Sequence, residues 1–251
     1  MRIIRSLTEV RDEDRGASAA MGNFDGVHLG HRSVIDLARR HGAPLGVVTF
    51  EPHPRTFFAP EAPAFRLMND ASRTHRLRKI GVERLFPLPF DAALAGLEAE
   101  VFARDVLAEG LGLSHVVVGE DFRFGKKRGG DAEALRRFGD AFGFEVTLAP
   151  MLRGGAGEAD RVSSTAIREA LQEGRPQDAA RMLGHRHRID GVVRQGDKRG
   201  RDLGYPTANL LLDGRLLPKF GGYAAEFDVL SGPHAGRYGG AASLGARPTF
   251  G

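Results

Sequence analysis

The chain has 251 residues, of which 41% are hydrophobic, and its 36 basic and 32 acidic residues give a formal net charge of +4. This length and composition predict a globular protein with one large or two small domains. The chain contains no cysteine, which excludes disulfides, thiolate metal sites and thiol nucleophiles.

Short apolar runs alternate with helical patterns through the first two thirds of the chain. The predicted strands are Ala17–Met21, Leu45–Phe50, Arg84–Leu88, His115–Gly119 and Phe144–Ala149. The predicted helices are Arg32–His41, Ser72–Ile80, Glu98–Glu109 and Asp131–Phe142. This alternation is typical of a mostly parallel sheet covered on both faces. Ligands of such sheets bind beyond the carboxyl ends of the strands, so we expect residues 22–31, 51–54 and 120–130 to converge on one crevice.

The segment between the first predicted strand and helix contains His28, Gly30 and His31. Free N–H groups and the positive helix end make such a turn an anion site. Imidazoles there can donate to phosphate oxygens and become cationic with a modest rise in pKa. Gly30 would leave room for a phosphate against the backbone. Two alternatives are ordinary packing histidines and a metal site, although no acidic cluster beyond Asp25 accompanies the pair.

Residues Ser163–Arg168 predict the start of a helix that ends near Gly174, and a second short helix follows from Pro176. Ser163 and Ser164 would offer hydroxyls and free N–H groups to an anion. Arg168 follows Ser164 by about one helical turn and could stabilise the charge of a departing phosphate. A capped helix with a surface arginine is the simpler alternative.

From about His185 the pattern changes to short β-like segments between glycine-rich turns, which predicts a domain boundary near residues 184–187. The glycine-rich stretch 196–204 could hold a phosphate through backbone N–H groups. Thr207 and Asn209 would present two hard oxygens on one face of a strand, which suits Mg²⁺ and an ATP phosphate. A polar edge strand would show the same pattern.

Four segments in order, GNFDGVHLGH (22–31), TFEPHP (49–54), GEDFRFGKKRGGD (119–131) and RVSSTAIR (161–168), resemble the bacterial bifunctional riboflavin kinase/FAD synthetase family. The glycine-rich loop and the PTAN sequence that follows it resemble the riboflavin kinase signature of the same family. The implied fold class is α/β, with a Rossmann-like nucleotidyltransferase domain built on a parallel sheet at residues 1–184. An incomplete antiparallel β-barrel of the riboflavin kinase type would follow at residues 185–251.

The resemblance implies that FMN attacks the α-phosphorus of ATP, giving FAD and pyrophosphate, with Mg²⁺ as the metal. It implies that His28 and His31 contact the ATP phosphates and that Ser164 and Arg168 close the other side of the catalytic site. The nucleotide-binding residues that it implies for the first domain are Gly22, Asn23, Phe24, Asp25, Gly26, Gly30, Arg161 and Ser163.

In the second domain the resemblance implies phosphorylation of riboflavin by ATP. Lys198, Thr207 and Asn209 would bind the nucleotide, and Thr207 and Asn209 would also hold Mg²⁺. The family's barrel continues beyond Gly251, and its general base lies there. We therefore expect the 251-residue chain to phosphorylate riboflavin poorly.

Two other functions compete with this interpretation. The same fold could transfer a nucleotide to another phosphate substrate, and the basic clusters could bind nucleic acid. We rank nucleic acid lower because tryptophan is absent and aromatic residues do not interleave with the basic ones. No apolar run reaches the length of a membrane span and no signal peptide is visible, so we expect a cytoplasmic protein without a membrane partner. The sequence leaves open whether copies form a homo-oligomer.

Overall fold

The computed structural model describes residues 1–152, 162–194, 207–210 and 214–245. The strands are β1 (Arg2–Ile3), β2 (Ser18–Met21), β3 (Leu45–Glu51), β4 (Arg84–Pro89), β5 (His115–Gly119), β6 (Arg123–Phe124), β7 (Gly130–Asp131), β8 (Glu145–Ala149), β9 (Val193–Arg194), β10 (Asn209–Leu210), β11 (Gly221–Val229) and β12 (Gly236–Leu244). The helices are α1 (Leu29–Leu37), α2 (Pro54–Phe58), α3 (Asp70–Lys79), α4 (Ala92–Ala95), α5 (Ala99–Val101), α6 (Ala132–Phe142), α7 (Ser164–Gln172) and α8 (Pro176–Leu183). Helix α5 continues as a π-helical segment, Phe102–Gly110.

Six strands form one parallel sheet in the order β1-β4-β3-β2-β5-β8. All four residues of β2 are buried, as expected for a central strand covered on both faces. Small residues let β2 and β3 pack closely, since a Cβ at Gly46 would lie 2.9 Å from the Cβ of Ala19. The predicted parallel α/β sheet is therefore confirmed, with each predicted strand within one residue of its observed bounds.

The strand order reverses between β2 and β5, because β3, β4 and β1 lie on one side and β5 and β8 on the other. A ligand crevice forms at such a reversal, beyond the carboxyl ends of the strands. The loops after β2 and β3 do meet there. The expected third contribution, from residues 120–130, stays a prediction. That segment is fully described, forms the β6–β7 hairpin and lines no part of the cleft described below.

Residues 162–183 form a small helical unit next to this edge of the sheet. Leu67, Ile167, Leu171, Leu183 and Leu216 pack together in its core. Leu216 belongs to the C-terminal part of the chain, and its N–H donates to the carbonyl of Arg66 at 2.9 Å. The C-terminal part thus contacts the first domain directly.

The described C-terminal strands are antiparallel, as predicted: β9 pairs with β10, and β11 pairs with β12. No helix among the described residues is long and apolar enough to cross a membrane.

Candidate active site

The first turn of helix α1 lies against the residue that leads into helix α7, at the carboxyl edge of the sheet. Helix α1 follows β2 through a short loop and begins after His28, and α7 begins after Ser163. Gly30 permits the contact, because a Cβ there would lie 3.1 Å from His28 Cε1 and 3.3 Å from the Val162 carbonyl oxygen. A side chain at position 30 would therefore press on the His28 ring and on the Val162 carbonyl. His31 of α1 and Ser164 and Arg168 of α7 line one cleft, so the N-terminal ends of both helices lie beside it, which favours an anion.

The two histidines are locked together. The Nδ1 atom of His28 accepts a hydrogen bond from the N–H of His31 at 3.2 Å, and so caps α1. The rings stack with 3.6 Å between their centroids. Because His28 accepts at Nδ1, its neutral ring carries the proton on Nε2 and can donate one hydrogen bond.

Burial controls the charge of both rings. It lowers the pKa of His28 to about 4, against the opposing effect of Asp25, and it also lowers the pKa of His31 well below its ordinary value. Both imidazoles are thus neutral at pH 7 in the ligand-free protein. In the ligand-free protein both pKa values are therefore lowered, and the positive end of helix α1 acts in the same direction as burial, because it also disfavours a cationic ring.

Asp25 ties the β2–α1 loop to helix α7. Its side chain is 2% exposed, and its carboxylate accepts hydrogen bonds from the N–H groups of Leu67 (2.9 Å) and Met68 (3.1 Å). It also pairs with Nη2 of Arg168 at 2.7 Å. The Ser164 hydroxyl donates to the carbonyl of Asp25 at 2.8 Å. Arg168 is consequently fixed in place, with its charge balanced by Asp25.

The other predicted residues of this loop shape it from within. Phe24 is 1% exposed and meets His31 edge-on, with 5.1 Å between ring centroids. Gly26 has a φ of +91°, and a Cβ there would lie 2.9 Å from Leu67 Cδ1. Gly22 has more room, since its Cβ would make only ordinary contact with the Phe24 ring at 3.5 Å. Phe24 is thus too buried to offer its ring to a ligand in this conformation.

A buried arginine supports the start of the same loop. Arg73 is fully buried, and its guanidinium donates to the carbonyl of Asn23 at 3.3 Å and to the Thr49 hydroxyl at 3.2 Å. It also forms ion pairs with Glu51 at 2.8 Å and Asp70 at 3.0 Å. Arg73 therefore joins the ends of β2 and β3 to helix α3.

A cleft of about 280 Å³ opens beside these elements. Its lining residues are Asn23, Asp25, His31, His53, Arg55, Phe65, Ser164 and Arg168. Five of the eight were predicted as site residues. His53 lines the cleft and is also a packing residue: it is buried, and its Nδ1 atom accepts from the N–H of Arg55 at 3.0 Å.

Sequence reasoning missed Arg55 and Phe65. The guanidinium carbons of Arg55 and Arg168 lie 4.6 Å and 5.2 Å from the centroid of the Phe65 ring. Arg55 could have been noticed, because it directly follows the Pro-His-Pro sequence after β3. Phe65 lies in a stretch without periodicity and gives no such signal. Ser163 serves as the cap of α7, accepting from the N–H of Ala166 at 3.2 Å.

The predicted residues of the second domain are only partly described. Arg161 of the first domain and Lys198 of the second lie outside the described residues. Thr207 is exposed, and Asn209 is half-buried on β10, paired in register with Arg194 of β9. Their hydroxyl and carboxamide oxygens are hard donors and so fit Mg²⁺. In the first domain the lining carboxylate, Asp25, is already engaged by Arg168, so it is not free for a metal.

Comparisons with known proteins identify both parts of the chain. A family model for FAD synthetase matches residues 10–166, and one for riboflavin kinase matches residues 183–251. The chain belongs to the bifunctional riboflavin kinase/FMN adenylyltransferase family. The relative of that name from Pseudomonas fluorescens is 40% identical over 99% of this chain and 79% of its own length. The one from Escherichia coli K12 is 36% identical over the same shares of the two chains.

A solved structure shares the fold of this family member over nearly its whole length. It is described as a macrolide-efflux protein from Streptococcus pneumoniae and superimposes with a TM-score of 0.83. The two sequences are 31% identical, and the match covers 99% of this chain and 80% of the other. The likeness therefore extends across both the parallel sheet and the C-terminal strands.

Proposed function

We propose that the chain transfers the adenylyl group of ATP to FMN in the cleft beside the α1 and α7 N-termini, and that its C-terminal domain phosphorylates riboflavin with ATP. One observation carries the first activity: the His28–His31 turn and the Ser164–Arg168 turn, which are distant in sequence, meet at one cleft. Membership of the family supplies the identity of the substrates.

Adenylyl transfer needs alignment and charge stabilisation more than covalent help from the protein. The paired helix N-termini would stabilise the negative charge of the ATP phosphates. His28 and His31 would donate neutral N–H hydrogen bonds to the same oxygens, since both rings are uncharged before ATP binds. Arg168 would complete the site from the α7 side, held in position by its ion pair with Asp25.

The domain boundary that we propose lies at residues 184/185, where α8 ends. In the second domain Lys198, Thr207 and Asn209 would bind ATP, and Thr207 and Asn209 would hold Mg²⁺. That ion would supply charge neutralisation to the transferred phosphate. In the first domain Mg²⁺ would enter with the ATP phosphates. Because both activities consume ATP, we place them in the cytoplasm.

The test is to incubate the purified protein with ATP, Mg²⁺ and FMN, and then to separate the flavins. We expect FAD, and we expect the His28→Ala and His31→Ala variants to form it about a hundredfold more slowly, since one lost charge-stabilising donor costs ~3 kcal/mol. Arg168→Ala should lower turnover more than FMN affinity. Near wild-type rates in either histidine variant would contradict the assignment. A protein that adenylylates a different phosphate compound in preference to FMN would contradict the substrate.

A further inference from the structure

Arg55 is a cation at the cleft that no carboxylate of the described residues neutralises. Its side chain lines the cleft, and the residue is exposed to solvent on helix α2. Among the described residues, no carboxylate forms an ion pair with its guanidinium. The other arginine of the lining, Arg168, is paired with Asp25 at 2.7 Å. The guanidinium of Arg55 can therefore offer an unpaired charge to an anionic ligand, whereas the charge of Arg168 is already paired.

Phe65 sets the position of Arg55. Its ring is 8% exposed and supports the Arg55 guanidinium on the cleft side, with 4.6 Å between the guanidinium carbon and the ring centroid. His53 meets the same ring edge-on at 4.9 Å and caps the backbone N–H of Arg55. Stacking on an aromatic face leaves the N–H donors at the edge of a guanidinium free. Arg55 is therefore held without using the donors that would bind a ligand.

The charges of the lining point to the same residue. Burial lowers the pKa values of His31 and of His53, the latter to about 4, so both rings are neutral at pH 7. Asp25 pairs with Arg168 at 2.7 Å, and Arg66, which lies 3.9 Å from Asp25, pairs with Glu51 at 3.2 Å. Among the described lining residues, Arg55 thus carries a positive charge that no carboxylate balances, and a phosphate that leaves water needs such a charge-assisted partner.

We propose that Arg55 binds a phosphate group of the substrates through the two-pronged edge of its guanidinium. This proposal rests on the proposed function, because it takes the ligands of the cleft to be ATP and FMN. The phosphate belongs either to FMN or to the polyphosphate of ATP, and the kinetics of one variant distinguish these two sources.

The experiment compares Arg55→Ala with the wild-type protein in FAD formation. The matched control is Arg137→Ala, which removes an exposed arginine from helix α6, away from the cleft. Loss of one charge-assisted contact should raise the affected KM by about tenfold to a hundredfold. A higher KM for FMN at saturating ATP assigns the contact to the FMN phosphate. A higher KM for ATP, together with weaker inhibition by inorganic pyrophosphate, assigns it to the polyphosphate.

Charge and geometry are separated by two further variants. Arg55→Lys keeps the charge but loses the planar fork, so its KM should lie between those of the wild type and of Arg55→Gln. If both KM values and pyrophosphate inhibition in Arg55→Ala stay within about twofold of the control, the proposal is overturned, whatever happens to kcat. Equal KM values in the lysine and glutamine variants overturn it as well. A wild-type protein that forms no FAD would count against the proposed function instead.

Discussion

Replacing Asp25 by asparagine should show that this buried carboxylate stabilises the protein more than an exposed ion pair does. The substitution keeps the size of the side chain but removes the charge that faces Arg168 at 2.7 Å. It also weakens the hydrogen bonds from the N–H groups of Leu67 and Met68. Arg168 is then left with 16% of its side chain exposed and no balancing charge.

The size of the effect follows from this burial. Removing one partner of a buried ion pair costs ~3–5 kcal/mol, and the partial exposure of Arg168 favours the lower end, about 3 kcal/mol. For a chain of this size that corresponds to a fall of about 6–12 °C in the thermal midpoint. The matched control is Asp36→Asn, whose carboxylate pairs with Arg39 at 3.0 Å on the surface, where the side chains are 57% and 46% exposed. That pair should contribute less than ~1 kcal/mol.

The chain contains no tryptophan, so unfolding is best followed by far-ultraviolet circular dichroism, with FAD formation measured on the same samples. Combining Asp25→Asn with Arg168→Ala in a double-mutant cycle should give a coupling free energy above ~1.5 kcal/mol. Equal small losses of stability in Asp25→Asn and Asp36→Asn would refute the reasoning. So would an Asp25→Asn protein with wild-type stability and wild-type FAD synthesis.

Three other substitutions test separate features. His28→Asn should preserve the cap of α1, because asparagine also caps helices well, yet slow FAD formation about a hundredfold. Burial lowers the pKa of His28 from 6.5 to about 4. Between these pH values the unfolded chain binds more protons than the folded protein, so the free energy of unfolding decreases as the pH falls from 6.5 to 4. The asparagine variant should show a shallower fall in thermal midpoint between those pH values; an unchanged slope would contradict this. Gly30→Ala should impair FAD synthesis, because its Cβ would press on the His28 ring at 3.1 Å, whereas Gly22→Ala should be tolerated; similar activities for the two would contradict the contact. Asn209→Ala should lower the rate at which riboflavin is phosphorylated and leave FAD formation unchanged. Both rates are measured by separating the flavins after each reaction, and a lower rate of FAD formation with unchanged phosphorylation would contradict the prediction.

The strands were predictable because each contains a short, mostly apolar run bounded by polar residues and turns, which leaves a clear signal in the sequence. Helix boundaries were harder. Helix α1 begins at Leu29, three residues before the predicted start, because the His28 side chain acts as its cap and histidine is uncommon in that role. The five-residue helix α2 was not predicted, because so short a helix leaves no periodic pattern in the sequence.

The site was predictable as a set of segments but not as a set of contacts. Ser164 and Arg168 were predicted to serve the same reaction as His28, and the structure brings their turns together. The ion pair of Arg168 with Asp25 spans 143 positions in the sequence, which no local pattern reveals. The neutral state of the histidines was missed for a related reason. Their pKa values depend on burial by residues that are distant in sequence.

The contacts of Asp25 also account for the conformation of the β2–α1 loop. Phe24 and Val27 have φ values of +51° and +42°, a region that costs a bulky residue ~1–3 kcal/mol at each position. Both side chains are buried, so the strain is offset by packing as well as by the hydrogen bonds of the Asp25 carboxylate between them. The same carboxylate thus opposes relaxation of the loop and orients Arg168. A loop that relaxed would move His28 away from the first turn of α7, and the two anion-binding helix ends would no longer share one cleft.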